Sequence, residues 1–543
     1  MDQAVHLGGN GPELDQSVRV NQQRLRSALK ETYDFIVCGS GSSGSVVARR
    51  LAENPAVSVL LLEAGGTDEA PEVVAASAWP ANLGSNRDWG FAATPNPQVN
   101  GRAMPMNMGK ALGGGSSINA MIWARGHKSD WDYFAQEAGD PSWNYESALE
   151  IYKNLEDWQG EPDPVRRGRG GLVYVKPLAD QHGVAQAIFD GASALGIPTY
   201  ADQNGAMMEA SGGSASVNVR IRDGKRLSIF RTYAYPAMDR PNLTVLTNAL
   251  VTRVRFDGSR ASGVECLLDG RQQTFNADRE VVLSMGAINT PKVLMQSGVG
   301  DRDELREFGI PVVQHLPGVG KNLQDHVMAA SCIWEYAVPL PVYDNGAGAT
   351  VFWRSEDAVD CPDMQLIQAQ FPLAGPDVAS QYDIPAGAWS FFPALLRPKS
   401  VGKLRLTGRN ATDAIEIDAN SLSDPSDLDV LLKCVQLARD LGNSAALRPF
   451  VKREVMPLDL HRESMKQFIR NSLTTLWHQC GTARMGRDPM SVVDNTLKVY
   501  GVSNLRIVDA SIMPRVVTGN TMASCVVIGE RAAHMLKAEH GLN

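Results

Sequence analysis

The stretch "YDFIVCGSGSSGSVVARRLAE", Tyr33 to Glu53, restricts this chain more than any other. Tyr33 to Cys38 is a short apolar run closed by glycine, which reads as a buried parallel strand. Gly39, Gly41 and Gly44 follow with the spacing G-x-G-x-x-G, and Ser45 to Glu53 carries helical periodicity. The three glycines serve different ends. They allow a tight turn, a backbone close enough to meet a pyrophosphate, and a helix packed hard on a strand. "VSVLLLEAGG" supplies a second buried strand ending at Glu63, nineteen residues after Gly44, where a carboxylate binds a ribose. A bare triplet means little among 50 glycines. Strand, triplet, helix and terminal acid together define a βαβ dinucleotide-binding unit. Glu63 disfavours NADP, because its charge repels a 2′-phosphate, and the pattern does not separate NAD from FAD.

At 543 residues the chain exceeds one hydrophobic core. A net charge of −8 without a basic stripe argues against nucleic acid as a partner. The short basic cluster "PVRRGRGG" around Arg166 reads as a solvated loop. Seven single cysteines, with no paired spacing, point away from zinc and from a disulfide framework. Reduced thiols fit a cytoplasmic protein. The first residues lack the basic and apolar regions of a signal peptide, and no apolar run is long enough for a membrane span. Residues 1–30 read as an outer arm with a short helix over Val20 to Lys30.

Further segments carry chemistry. Gly113 to Ser117, in "GKALGGGSSINAMIWARGHKSDWD", is a donor-rich loop suited to a pyrophosphate or a ring edge. "GAINTPKVLMQSGVG" reads as a helix beginning near Thr290 and Pro291 and ended by Gly298 and Gly300. Runs such as "ATVFWR", "DMQLIQAQF" and "GKLRLTG" alternate as an antiparallel sheet does. "TGNTMASCVVIGERAAHMLKAEHG" closes the chain as a helix. His478, in "LWHQCGTARMG", precedes small residues that permit close approach to a ring. By itself it reads more readily as a packed core histidine than as a catalytic base.

These motifs, with "LPGVGKNLQDH" and "NLRIVDASIMP…GNTMAS", stand in the order of the glucose–methanol–choline (GMC) flavin oxidoreductases, which the chain resembles from about Tyr33 to Leu536. The resemblance implies an α/β fold with a Rossmann-like FAD-binding domain built from discontinuous segments (31–150, 210–326 and 480–543). A substrate domain (151–209 and 327–479) would carry a mostly antiparallel sheet. It implies FAD as cofactor: Gly39, Gly41 and Gly44 at the pyrophosphate, Glu63 at the adenosine ribose, and Val251 at the adenine. Gly113, Ser117, Asn119 and Met121 would line the flavin side, and Asp509, Asn520 and Thr521 the ribityl chain and ring. Some members tether FAD through a histidine before the glycine loop. Counting back from Gly113 reaches Met106, which points to non-covalent FAD.

The resemblance further implies oxidation of an alcohol to an aldehyde or ketone. His478 would be the base and Asn520 its partner, with hydride passing to flavin N5 and reoxidation by O₂ or another acceptor. The start of the last helix would offer a positive field to the reduced ring. Trp477, Phe352 and Gln368 are expected at the substrate pocket, and Glu335, Tyr336 and Trp353 as pieces of a cage should the substrate be a quaternary ammonium. No metal is expected, and the protein would be a monomer or homodimer. Lyase or light-driven decarboxylase chemistry on the same fold, or a non-catalytic flavin carrier, are the alternatives.

Overall fold

A computed structural model describes residues 12–329 and 332–542. Its first strand, Thr32–Cys38, lies between two parallel neighbours, Val59–Leu62 and the long strand Arg271–Leu283. Phe35, Ile36, Val37 and Cys38 are all fully buried, as a strand covered on both faces requires. Leu243–Leu246 and Leu505–Ile507 extend the sheet, also in parallel. One sheet therefore gathers segments from both ends and the middle of the chain. Arg271–Leu283 pairs with three strands. Its first residues are exposed and pair antiparallel with Arg260–Leu268, while its buried end, Val281 to Leu283, enters the parallel sheet.

The second layer is an eight-stranded sheet whose neighbouring strands run antiparallel. Its central strand, Ala388–Leu395, is buried at every residue. Trp389, Phe391 and Leu395 face the core under the helix Pro425–Gly442. Phe392 and Ala394 face the opposite way, into a smaller apolar cluster with Met328, Ile367 and Leu476. The period of two thus gives this sheet one face against a helix and one face against the cleft described below.

Some segments lie elsewhere than their sequence suggests. The N-terminal helix spans Pro12–Ser27, not Val20 to Lys30; residues 1–11 of the arm lie outside the described residues. Asn21 and Gln22 dock it by donating to the carbonyls of Met238, Arg240 and Leu243. The helix over "GAINTPKVLMQ" begins at Gly286, so Thr290 and Pro291 sit inside it. The hairpin Lys403–Leu406/Ile415–Asp418 packs Leu404, Leu406, Ile415 and Ile417 into the core of the parallel sheet.

The basic cluster is no solvated loop. The Arg167 side chain is 1% exposed and pairs with Glu156 at 2.8 Å and Asp202 at 2.7 Å. Arg125 shares the Glu156 carboxylate. Among the described residues no helix is long and apolar enough to cross a membrane.

Candidate active site

A cleft of about 690 Å³ runs from the glycine turn of the parallel sheet to the face of the antiparallel sheet. At its first end Gly39 takes φ +98°, and a Cβ there would lie 2.3 Å from the Ser284 carbonyl oxygen. A Cβ on Gly44 would lie 1.9 Å from the Gly39 oxygen, so this glycine sets the helix against the turn and does not line the cleft. Gly41 differs: a Cβ would meet only Ser284 O at 3.9 Å, so the protein itself does not require glycine. Gly41 lines the cleft and begins the helix Ser42–Ala52 without a side-chain cap. The space and the free N–H groups that its side chain would obstruct suit a phosphate.

Glu63 is buried at the end of its strand. Its oxygens accept from Ser40 N at 3.1 Å, Ser40 Oγ at 2.7 Å and Gly65 N at 2.9 Å. Burial raises its carboxyl above the usual range against the pull of these donors. Ser40 Oγ also accepts from Gly113 N at 3.1 Å, which fastens the second glycine loop to the first. Ser40 had no signal in the sequence beyond its place inside the fingerprint. Val251, Asn119, Asp509, Asn520 and Thr521 line the same cleft, as do Gly114, Gly115 and Ser116.

The other end holds His478, buried at 7% exposure. Its Nε2 lies 3.2 Å from Asn520 Nδ2, and its Nδ1 lies 2.9 Å from His326 Nδ1. Asn520 Oδ1 is buried without a partner. The loop is pinned from behind by Asp325, which accepts from the His478 backbone N–H at 2.8 Å, from Gln479 Nε2 at 3.0 Å and from Thr475 Oγ1. Burial, with His326 adding repulsion, holds His478 well below an ordinary histidine. Burial and then Arg397 lower His326 to about 3, and burial raises Asp325 to about 7. Asn520 precedes the 18-residue helix Met522–Glu539, whose first N–H groups open toward this end.

Several expected residues lie off the cleft. Gly113, Ser117 and Met121 do not line it. Ser117 Oγ donates to Leu112 O at 2.6 Å and braces the loop, and Met121 sits in the apolar cluster behind, at φ +59°. Asp509 lines the cleft with its oxygens committed to Ser511, Gly286 and Thr290. Phe352 is fully buried beside Met207 and Met208 and supports the Gly519 turn from outside. Glu335, Tyr336 and Trp353 are absent from the lining; Glu335 pairs with Lys452 and Arg453.

Met106 is buried off the cleft lining, with its sulfur 3.9 Å from Gln479 Nε2. Trp477 and Gln368 do line the cleft. His326 and Asp325, unassigned from the sequence, are the additions. Their only signal was membership of "LPGVGKNLQDH".

The family model for the N-terminal part of the GMC oxidoreductases matches residues 33–328, and that for the C-terminal part matches 398–529. The chain belongs to this family and is an FAD-dependent alcohol oxidoreductase. The uncapped helix start at Gly41, the buried Glu63 and the open acceptor on Asn520 fit that cofactor. Among curated relatives, the mitochondrial choline dehydrogenase of Mus musculus is 37% identical, over 95% of this chain and 91% of that one. An alcohol dehydrogenase [acceptor] of Pseudomonas putida is 34% identical over 93% and 95%. Pyridoxine 4-oxidase from Mesorbium loti superposes with a TM-score of 0.88 at 30% identity, covering 93% of this chain and 99% of that one.

Proposed function

We propose that the protein oxidises the carbinol of a small alcohol to an aldehyde or ketone, with His478 as general base and Asn520 as the amide that orients it. The observation that carries this reading is a neutral imidazole on the cleft wall, its Nε2 3.2 Å from the Asn520 amide and the Asn520 Oδ1 open. FAD, when bound, supplies the hydride acceptor. The chain handles the proton. His326 and His478 face each other Nδ1 to Nδ1, so one neutral ring donates to the other, and in this reading His326 is the acceptor and offers a bare Nδ1. His478 donates its Nδ1–H there, across 2.9 Å, and keeps its Nε2 lone pair toward the cleft. Asp325 fixes the backbone that carries the ring. The N–H groups at the start of Met522–Glu539 give this end a positive field, where negative charge gathers as hydride leaves the substrate.

FAD is held without a covalent bond in this reading. Among the described residues, the lining contains one histidine, His478, and one cysteine, Cys525, whose thiol burial pushes up to about 12. Reoxidation uses O₂ or another acceptor. The division into an FAD domain (31–150, 210–326, 480–543) and a substrate domain (151–209, 327–479) is retained, with the hairpin at 403–418 crossing to the FAD side. Unpaired cysteines fit a reducing compartment such as the cytoplasm.

His478→Ala tests the base. Anaerobic bleaching of the flavin by a substrate alcohol should slow by roughly 10²–10⁴-fold, the usual range for a general base. An unchanged rate would remove His478 from the mechanism.

A further inference from the structure

The two ends of the cleft differ in kind. Its charged lining residues are Glu63, Lys292, Asp413 and Asp509. Each belongs to the cofactor side: Glu63 follows one parallel strand, Asp509 follows another and accepts from Gly286 N, Lys292 lies within the helix Gly286–Gln296, and Asp413 lies in the hairpin packed on it. The end walled by the antiparallel sheet is formed by Ile122, Met328, Ile367, Phe371, Phe392 and Leu476.

Polar groups at this end are largely committed within the protein. Trp79 Nε1 donates to Asn345 O at 3.0 Å, and Trp477 Nε1 to Asn107 Oδ1 at 2.9 Å. Asn345 donates to Ala120 O and accepts from Ala347 N at 3.1 Å, while Gln368 Oε1 accepts from Ala349 N at 3.1 Å. The buried lining atoms around His478 that lack a partner are two acceptors, Asn520 Oδ1 and Gln479 Oε1. Asp325 does not line the cleft, and its oxygens face Thr475, His478 N and Gln479.

We infer that the substrate is an uncharged alcohol carrying a single hydroxyl on an apolar body, and that quaternary-ammonium alcohols and sugars are poorly accepted. This rests on the alcohol-oxidising reading of the site and sharpens it. A cation entering this end would lose its water and meet no carboxylate, with aromatic faces such as those of Trp79 and Trp477 as its attraction. A sugar would leave most of its hydroxyls unpaired. An alkyl or aryl body instead gains from each carbon buried against the wall, roughly fourfold in affinity per methylene.

The test uses the FAD-loaded protein and two readouts. In anaerobic stopped flow, 1-hexanol and benzyl alcohol should bleach the flavin with a second-order rate constant at least 100-fold above choline and glucose. Choline or glucose equal to or faster than both would overturn the inference. The second readout does not depend on turnover. Flavin difference spectra should show 2-methyl-2-hexanol, which cannot be oxidised at its carbinol, binding at least 30-fold more tightly than tetramethylammonium. The reverse order would overturn the inference even if no alcohol reduces the flavin. The expected order with no bleaching by any alcohol would support the pocket assignment and overturn the proposed reaction.

Discussion

His478 can act as a base at neutral pH because it is denied a charge. Burial removes the water that would stabilise an imidazolium. Its contribution to activity should therefore persist below the ordinary histidine range near 6.5 and fail only at lower pH, as the ring finally protonates. His326 is a positioning residue in this scheme, since it accepts the Nδ1 proton and so directs the lone pair to Nε2. In His326→Ala, flavin reduction should slow by about tenfold or more, within the roughly 10⁴-fold cost of a wrong tautomer. His326→Asn keeps an acceptor oxygen and should restore part of the rate. A rate lost to the same extent in both variants would reduce His326 to packing.

At the scale of elements, Asp325 ties the loop before the strand Val327–Ala329 to the loop after Leu473–Thr475, two strands that pair with each other. Its carboxyl is raised to about 7, so the folded chain binds its proton more tightly than the unfolded chain does. That stabilisation is fully present below the unfolded value near 3.8 and is lost as pH rises through 7. Asp325→Asn removes the titration. The difference in melting temperature, variant minus wild type, should increase from pH 4 to pH 8. A difference independent of pH would mean that Asp325 does not titrate in this window.

Neither Asp325 nor His326 was assignable from the sequence. The His326–His478 contact spans 152 residues, and nothing local to either segment encodes it. The fingerprint was legible for the opposite reason. Strand, turn and helix are contiguous, and Gly39 and Gly44 each answer a neighbour within the unit or just past the strand beside it. Phe352 failed on a different point. In a strand buried on both faces, alternation cannot say which side meets the cleft, and Val351 and Phe352 are both within 1% of full burial. Arg167 was misread because charge count does not reveal partners, here Glu156 and Asp202.

At the scale of the molecule, two apolar cores meet across the cleft, one built on the parallel sheet and one on the cleft-facing side of the antiparallel sheet. Residues that line it come from both, so FAD held there couples them. A ligand that binds only the folded state adds stability as the logarithm of its free concentration, about 2.7 kcal/mol at a hundred times its dissociation constant. Protein stripped of FAD should therefore melt at lower temperature than the loaded form. Its melting point should climb steadily as FAD is added back, with each tenfold rise in free FAD above its dissociation constant worth about 1.4 kcal/mol. Denaturation in acid should release all the flavin into solution, since neither His478 nor Cys525 serves as a tether in this reading. Flavin that stays with the precipitated chain would contradict non-covalent binding, and a melting point indifferent to FAD would contradict the coupling of the two cores through the cleft.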